Sequence, residues 1–317
     1  VNILVTGGAG FIGSHIVDAC VAGRHTVTVI DDLSTGHRSN VHPQARFLEM
    51  DVRSKDIDEL FREGRFDVVS HQAARADVRG SMVDPFVYAS VNIEGGINLL
   101  EAARKHGVRK VVYSSTGGCV YGDLQYFPAD EHHPIRPRDP YGASKAAFEL
   151  YLPVYAMNYG LTYTILRYPN VYGPRQDPFG EAGVVAIFTG KMLQGQAPII
   201  NGDGEQSRDY VYVGDVVRAN MLVLENGDNE VYNLGWGRGT TVNEIFRSLK
   251  RLTGHDGEAV HGPAKLGEVR RNDLTAAKIT KALGWEPRVP LEEGMRQTVD
   301  YFRTSRQLAP AQTVAQP

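Results

Sequence analysis

Residues 2–6, Asn-Ile-Leu-Val-Thr, run straight into Gly7-Gly8-Ala9-Gly10-Phe11-Ile12-Gly13, and a helical pattern follows at once. A glycine loop between a strand and a helix makes a tight turn. It lets backbone approach a pyrophosphate and aims a helix N-terminus at the negative charge. Gly7, Gly10 and Gly13 recur every third residue, and Gly8, Gly10 and Gly13 also fit G-x-G-x-x-G. The alternative, a glycine-rich turn without a ligand, is disfavoured by the position between strand and helix. The ligand-facing residues are then Gly7, Gly10, Phe11, Ile12 and Gly13.

The first half of the chain extends this pattern. Short β-branched runs at 2–6, 26–30, 46–50, 67–71, 109–114 and 162–167 predict strands. Between them, 11–22, 55–63, 85–106 and 141–159 predict helices. Strands alternating with helices imply a parallel sheet covered on both faces. The expected fold is therefore α/β, a Rossmann-type doubly wound parallel sheet with a smaller C-terminal substrate-binding domain. The division expected is 1–170 for the dinucleotide domain, with segments around 208–235 packing back onto it. Residues 171–303 are mainly substrate-binding, and 304–317 form a loose tail. In the second half, short elements are predicted at 210–213, 216–225 and 231–234. Thr241 with Glu244 fits a capping box opening a helix that ends near 252, and a last helix spans 291–302.

Asp31 ends the second strand, 18 residues after Gly13, near the ~20 expected of an acid that binds an adenosine ribose. A carboxylate there repels a 2′-phosphate, which favours NAD over NADP; Asp32 is placed to share the task. Asp51 and Val52 after the third strand either flank the adenine or form a plain loop. His71-Gln72-Ala73-Ala74 ends the fourth strand, where small residues admit the cofactor, so Gln72, Ala73 and Ala74 join the set.

Tyr141 and Lys145 lie four apart on a predicted helix and share one face. A tyrosine acts as general acid/base when a neighbouring ammonium lowers its pKa from about 10. The fifth strand ends in Ser114-Ser115-Thr116, where Thr116 either caps its own turn or hydrogen-bonds a reacting oxygen. With Tyr141 and Lys145 downstream, the catalytic reading is preferred, with Ser114 beside the cofactor.

The bulk properties narrow the function further. A net charge of −3 over 317 residues argues against nucleic acid and anionic membrane as partners. Cys20 and Cys119 form no Cys-x-x-Cys pair and no His-Glu-x-x-His occurs, so no metal site is expected. His132 and His133, among prolines and charges, read as an exposed loop. No apolar run approaches the ~18 residues of a membrane span. The chain opens on a strand rather than a signal-peptide pattern, and a cytoplasmic protein is expected.

Together these residues resemble the extended short-chain dehydrogenase/reductase family, in its NAD-dependent nucleotide-sugar epimerase/dehydratase group. The matching stretches are G-G-A-G-F-I-G at 7–13, D-D-L-S-T-G at 31–36, S-S-T-G-G-C-V-Y-G at 114–122, Y-G-A-S-K at 141–145, R-Y-P-N-V-Y-G-P at 167–174 and R-D-Y-V-Y-V at 208–213. The resemblance implies a 4-epimerase acting on a UDP-linked hexose, with NAD held tightly. It implies that Asn92 and Tyr168 lie near the cofactor. Asn170 and Arg208 would bind the diphosphate side, Ile200 and Asn201 would lie along the base, and Val184 and Val185 would offer backbone contacts. Lys265 stands where the family usually has Arg, and Glu268 where it has Asp; Arg270 or Arg271 is the alternative fork for the diphosphate. Asn272 falls at a position that gates the space around carbon 2, where a small residue admits an N-acetyl group and its amide can reach the acetyl carbonyl.

The resemblance also implies a homodimer built on helices 85–106 and 146–159, with Tyr151, Leu152, Val154 and Tyr155 in the apolar surface. Pro153 is expected to kink its helix or end the regular hydrogen bonding there. The sister 4,6-dehydratases carry an acid pair after the catalytic Thr, and the decarboxylases a Glu; here Gly117 and Gly118 follow Thr116. Dehydration is thus disfavoured, while epimerases of sugar acids or dTDP-sugars remain alternatives. A non-catalytic NAD-sensing scaffold would not need the Tyr141, Lys145 and Thr116 set.

Overall fold

The computed structural model describes residues 1–180, 183–264 and 269–305. Its first half alternates β1 (Asn2–Thr6), α1 (Phe11–Ala22), β2 (Thr26–Asp31), β3 (Arg46–Glu49), α2 (Ile57–Gly64) and β4 (Val68–His71). Then come α3 (Val78–Val83), α4 (Pro85–Ala89), a π-helical turn (Ser90–Glu94), α5 (Gly95–Lys105), β5 (Lys110–Thr116), α6 (Pro140–Tyr159) and β6 (Thr162–Tyr168). The second half contains β7 (Asn170–Tyr172), α7 (Val184–Leu193), β8 (Ile199–Asn201), β9 (Ser207–Arg208), β10 (Tyr210–Tyr212), α8 (Val213–Val223) and β11 (Glu230–Asn233). It closes with β12 (Thr240–Thr241), α9 (Val242–Thr253), β13 (Val260–Gly262), β14 (Arg271–Asn272), α10 (Ala277–Leu283) and α11 (Leu291–Thr304).

Seven parallel strands form the main sheet in the order β11-β6-β5-β4-β1-β2-β3. This is the doubly wound arrangement expected. Its strands are buried on both faces and so read as near-continuous Val, Ile and Leu. On one face Ile16, Val17 and Cys20 of α1 meet Val216, Ala219 and Val223 of α8. On the other, Leu60 and Phe61 of α2, Leu99 and Leu100 of α5, and Phe148 and Leu152 of α6 cover the sheet. A third core gathers Val185, Phe188 and Met192 of α7 with Ile245, Phe246 and Leu249 of α9 and Met295 and Val299 of α11. The strand order reverses between β1 and β4, which opens a crevice at the strands' C-terminal ends.

Two expectations need refinement and one needs correction. Residues 85–105 are helical throughout, as expected, but not uniformly α: α4 and α5 are joined by the π turn, where Ser90 Oγ donates to Glu94 Oε2 at 2.9 Å. Pro153 does not end its helix, because α6 runs unbroken to Tyr159 and Gly160 closes it with φ 71°. Leu152 and Tyr155, buried against the sheet on either side of Pro153, hold the helix in place despite one lost backbone bond. His133 is not exposed: its Nε2 accepts from Gln125 N at 2.8 Å and its ring packs on Tyr121 and Tyr126. The capping box forms as read, with Glu244 N donating to Thr241 Oγ1 at 3.1 Å. Among the described residues no helix is long and apolar enough to cross a membrane.

Candidate active site

A cavity of about 300 Å³ lies at the crevice. Its walls include Gly7, Gly10, Phe11, Ile12, Gly13, Asp31, Asp32, Asp51, Val52, Gln72, Ala73, Ala74, Ser114, Tyr141, Lys145 and Tyr168. Gly7 takes φ +69°, and a Cβ there would fall 2.6 Å from Ala73 N, so only glycine lets the loop pass the segment after β4 this closely. α1 begins at Gly10 with no side-chain cap and no acid in its first turn. Its leading N–H groups are therefore donors for something else, and an anion at that point fits them. This is the donor set a dinucleotide diphosphate needs.

Asp31 does more than the sequence suggested. Its Oδ2 accepts from Ala9 N at 3.0 Å and its Oδ1 from Leu33 N at 2.9 Å, tying the glycine loop to the loop after β2. Burial pushes its pKa above the ordinary carboxylate value, against these two bonds. Asp32 accepts from Ser34 N at 3.0 Å and stands 3.9 Å from Arg75. Asp51 is gripped by Arg53, whose Nε lies 3.0 and 3.1 Å from its two oxygens, and this contact holds its pKa low. Asn92 stands behind the wall: Oδ1 accepts from Arg75 N at 2.8 Å, and Nδ2 donates to Arg75 O at 3.0 Å and Ser144 Oγ at 2.8 Å. It shapes the cavity by holding Arg75, a wall residue that sequence reasoning missed together with Ser34 and Thr35. The charge directly after His71-Gln72-Ala73-Ala74 was the available signal for Arg75.

Asp139 caps α6 by accepting from Gly142 N at 2.7 Å, with Pro140 opening the first turn. This brings Tyr141 beside Thr116, whose hydroxyl acts on its phenol. The lowered pKa expected for Tyr141 is not found. Burial pushes it well up, Cys119, Asp139 and Tyr88 add to that, and only Thr116 opposes them. The ammonium of Lys145 is turned over the Tyr113 ring, 4.3 Å from its centroid. Burial lowers the Lys145 pKa to about 7, with Glu149 acting against the fall. Glu149 and its partner Arg167 were missed because they form an ion pair between two elements, with no local spacing to announce it.

The expected substrate residues fall into separate groups. At Gly118 a Cβ would lie 3.6 Å from Thr116 Oγ1 and 3.8 Å from Asn170 Oδ1, so these two polar groups share one corner. Asn272 and Arg208 are register partners in β14 and β9. Arg208 Nη1 donates to Ser207 O at 2.8 Å. Asn272 is buried with Nδ2 on Gly117 O at 3.3 Å, while its Oδ1 has no hydrogen-bond partner. Its amide nitrogen is thus already engaged with the turn after Thr116, contrary to the expected reach toward an acetyl carbonyl.

Val184 and Val185 open α7, where Val185 is wholly buried in the third core with Ile200 of β8. Asn201 ends β8, and its carbonyl accepts from Gln206 Nε2 at 3.1 Å. Arg270 forks onto Asp203 at 2.8 and 2.9 Å and is exposed, and Arg271 Nε donates to Asp273 Oδ2 at 2.6 Å. The two alternative forks for a diphosphate are therefore both occupied by carboxylates. Lys265 and Glu268 lie outside the described residues. Among the described residues no group of three or more His, Cys, Asp or Glu could hold a metal ion.

Comparison with known proteins agrees with this geometry. Residues 3–235 match the family model for the NAD dependent epimerase/dehydratase family. A UDP-glucose 4-epimerase from Mycolicibacterium smegmatis is 42% identical over 310 residues, covering 96% of this chain and 99% of its own. A Thermotoga maritima UDP-glucose 4-epimerase solved with UDP-glucose superposes with a TM-score of 0.94 at 52% identity, over 96% of this chain and 99% of that one. A Thermus thermophilus UDP-glucose 4-epimerase solved with NAD gives 0.92 at 47% identity, over 96% and 100%.

Proposed function

The chain belongs to the NAD-dependent epimerase/dehydratase family, and from that membership we propose that it is an isomerase that inverts carbon 4 of a UDP-linked hexose, interconverting UDP-glucose and UDP-galactose. NAD is the cofactor, and the first-turn N–H groups of α1, Asp31 and the close crossing of Gly7 over Ala73 are the residues that would hold it. Bound NAD supplies a hydride acceptor and donor at carbon 4, so no net redox change results.

The chain's own groups do the acid–base work. Tyr141 takes the proton of the 4-hydroxyl and returns one after the 4-keto sugar has turned over in the site. Lys145 supplies the positive charge that favours the phenolate. Thr116 hydrogen-bonds the same oxygen, and Asn170, beside it, faces the substrate. The observation that carries the reading is the turn after Thr116. It consists of Gly117, packed on Leu274 and braced by Asn272, and Gly118. No carboxylate follows the threonine to protonate a leaving hydroxyl, which supports epimerisation over dehydration.

Asn272 is also a small residue at the gating position, which supports entry of N-acetyl sugars by the space it leaves rather than by its amide. The test is a panel of UDP-glucose, UDP-N-acetylglucosamine, UDP-glucuronic acid and dTDP-glucose, with products read by NMR. Inversion at carbon 4 of the UDP-hexoses is expected, and Tyr141→Phe should slow it ~100- to 10,000-fold without changing the melting temperature. A Tyr141→Phe enzyme at the wild-type rate would remove Tyr141 as the base. Turnover of the sugar acid or dTDP-sugar alone would replace the substrate assignment.

A further inference from the structure

Behind Lys145 lies a run of buried polar groups that the reaction as described does not use. Glu149 follows Lys145 by four residues, as Lys145 follows Tyr141, so the three form one stripe along α6. Its side chain is 4% exposed and that of Arg167, on β6, is 5% exposed. Arg167 Nε stands 3.0 and 3.2 Å from the two carboxylate oxygens, and Nη2 donates to Oε2. Ser115, part of the cavity wall, donates its hydroxyl to Glu149 Oε1. Arg167 Nη1 also donates to Tyr121 Oη at 2.8 Å, which donates to Asn233 Oδ1 on β11 at 2.8 Å.

A buried ion pair seldom stabilises a fold more than apolar residues of the same volume, because desolvation offsets the attraction. The placement of this one suggests another use. The groups acting on Lys145 are Glu149 on its own helix, Tyr113 of β5 under its ammonium, and His71 of β4 stacked on Tyr113 with centroids 5.6 Å apart, while Tyr141 lies one turn earlier on α6 and lines the same cavity. Burial keeps both phenols and the imidazole neutral. Glu149 is the anion among them.

We infer that Glu149 is a positioning residue for the acid–base pair: clamped by Arg167 and Ser115, it fixes α6 on β5 and favours the ammonium form of Lys145. This rests on reading Tyr141 and Lys145 as that pair. Removing the carboxylate charge lowers the affinity of Lys145 for its proton, so the ammonium is lost at a lower pH and turnover falls with it.

Glu149→Gln leaves Arg167 unpaired, so the companion variant Glu149→Gln/Arg167→Gln removes both charges. Two readouts apply: the pH profile of the epimerisation rate, and the titration midpoint of the Lys145 Cε resonance in 13C-lysine-labelled protein, assigned with Lys145→Met. In Glu149→Gln both should move to lower pH by about one unit, as for loss of a nearby opposite charge; in the double variant, which also removes the positive charge of Arg167, they should move the same way by less. A double variant with the wild-type melting temperature, wild-type midpoint and wild-type alkaline limb would overturn the inference and leave the pair a structural clamp. Should the double variant fail to fold, Glu149→Asp draws the charge back by one methylene, and an unchanged midpoint there overturns it equally. The underlying reading fails separately, by a Tyr141→Phe enzyme that keeps its rate.

Discussion

Lys145 is buried as a cation-forming group with one anion, Glu149, acting on it from the same helix. Its folded-state pKa of about 7 lies below its ordinary 10.5, so the unfolded chain binds the extra proton between those values. Stability therefore rises with pH across that window, and the penalty for burying the ammonium is fully present below pH 7. Lys145→Met removes the penalty. It is expected to raise the melting temperature at pH 6 by several degrees, a gain that shrinks toward pH 10, while abolishing most turnover. Melting curves at pH 6 and pH 10 check this; an equal effect at both would show that the lysine is not strained by burial. Tyr141 and Lys145 were legible because their spacing is a helix period next to a glycine loop. Glu149 and Arg167 were not, because they pair across two separate elements. His133 misled because flanking prolines and charges describe the chain around it and not the two tyrosines that enclose its ring.

At the scale of elements, the strands and helices that carry the cofactor cavity were readable within about two residues at their ends. The π turn was not, since Ser90–Glu94 continues a helical pattern and differs only in where its hydrogen bonds close. Helices α3, α4 and α6 pack together and expose an unusual amount of apolar surface: Met82, Val83, Phe86, Leu150, Val154 and Met157 all face outward, Val83 and Phe86 more than 80% exposed. The dimer surface expected on 85–106 and 146–159 thus shifts toward 82–86 and 150–157, because Leu99, Leu100, Leu152 and Tyr155 are spent on the sheet. An apolar face of this kind marks an interface, and we propose that it joins two copies of the chain. Light scattering at micromolar concentration should give a dimer for the wild type and a monomer for Val154→Glu/Met157→Glu; a monomeric wild type would refute the proposal.

For the whole molecule, the sheet order brings the glycine loop, Asp31 and Tyr141 to one crevice from three separate stretches of chain. That much followed from alternating strands and helices. The second half was hard to read because its pairings join two- and three-residue strands far apart in sequence, such as Ser207 with Arg271 and Ile199 with Val260, which leave no periodic signature. The central claim is that carbon 4 is inverted by hydride transfer within a closed site, with Tyr141 handling only the hydroxyl proton. UDP-glucose deuterated at carbon 4 tests it most directly. The account predicts UDP-galactose with the deuterium fully retained at carbon 4. Loss of the label to solvent, or deuterium entering carbon 4 from D2O with unlabelled substrate, would contradict it.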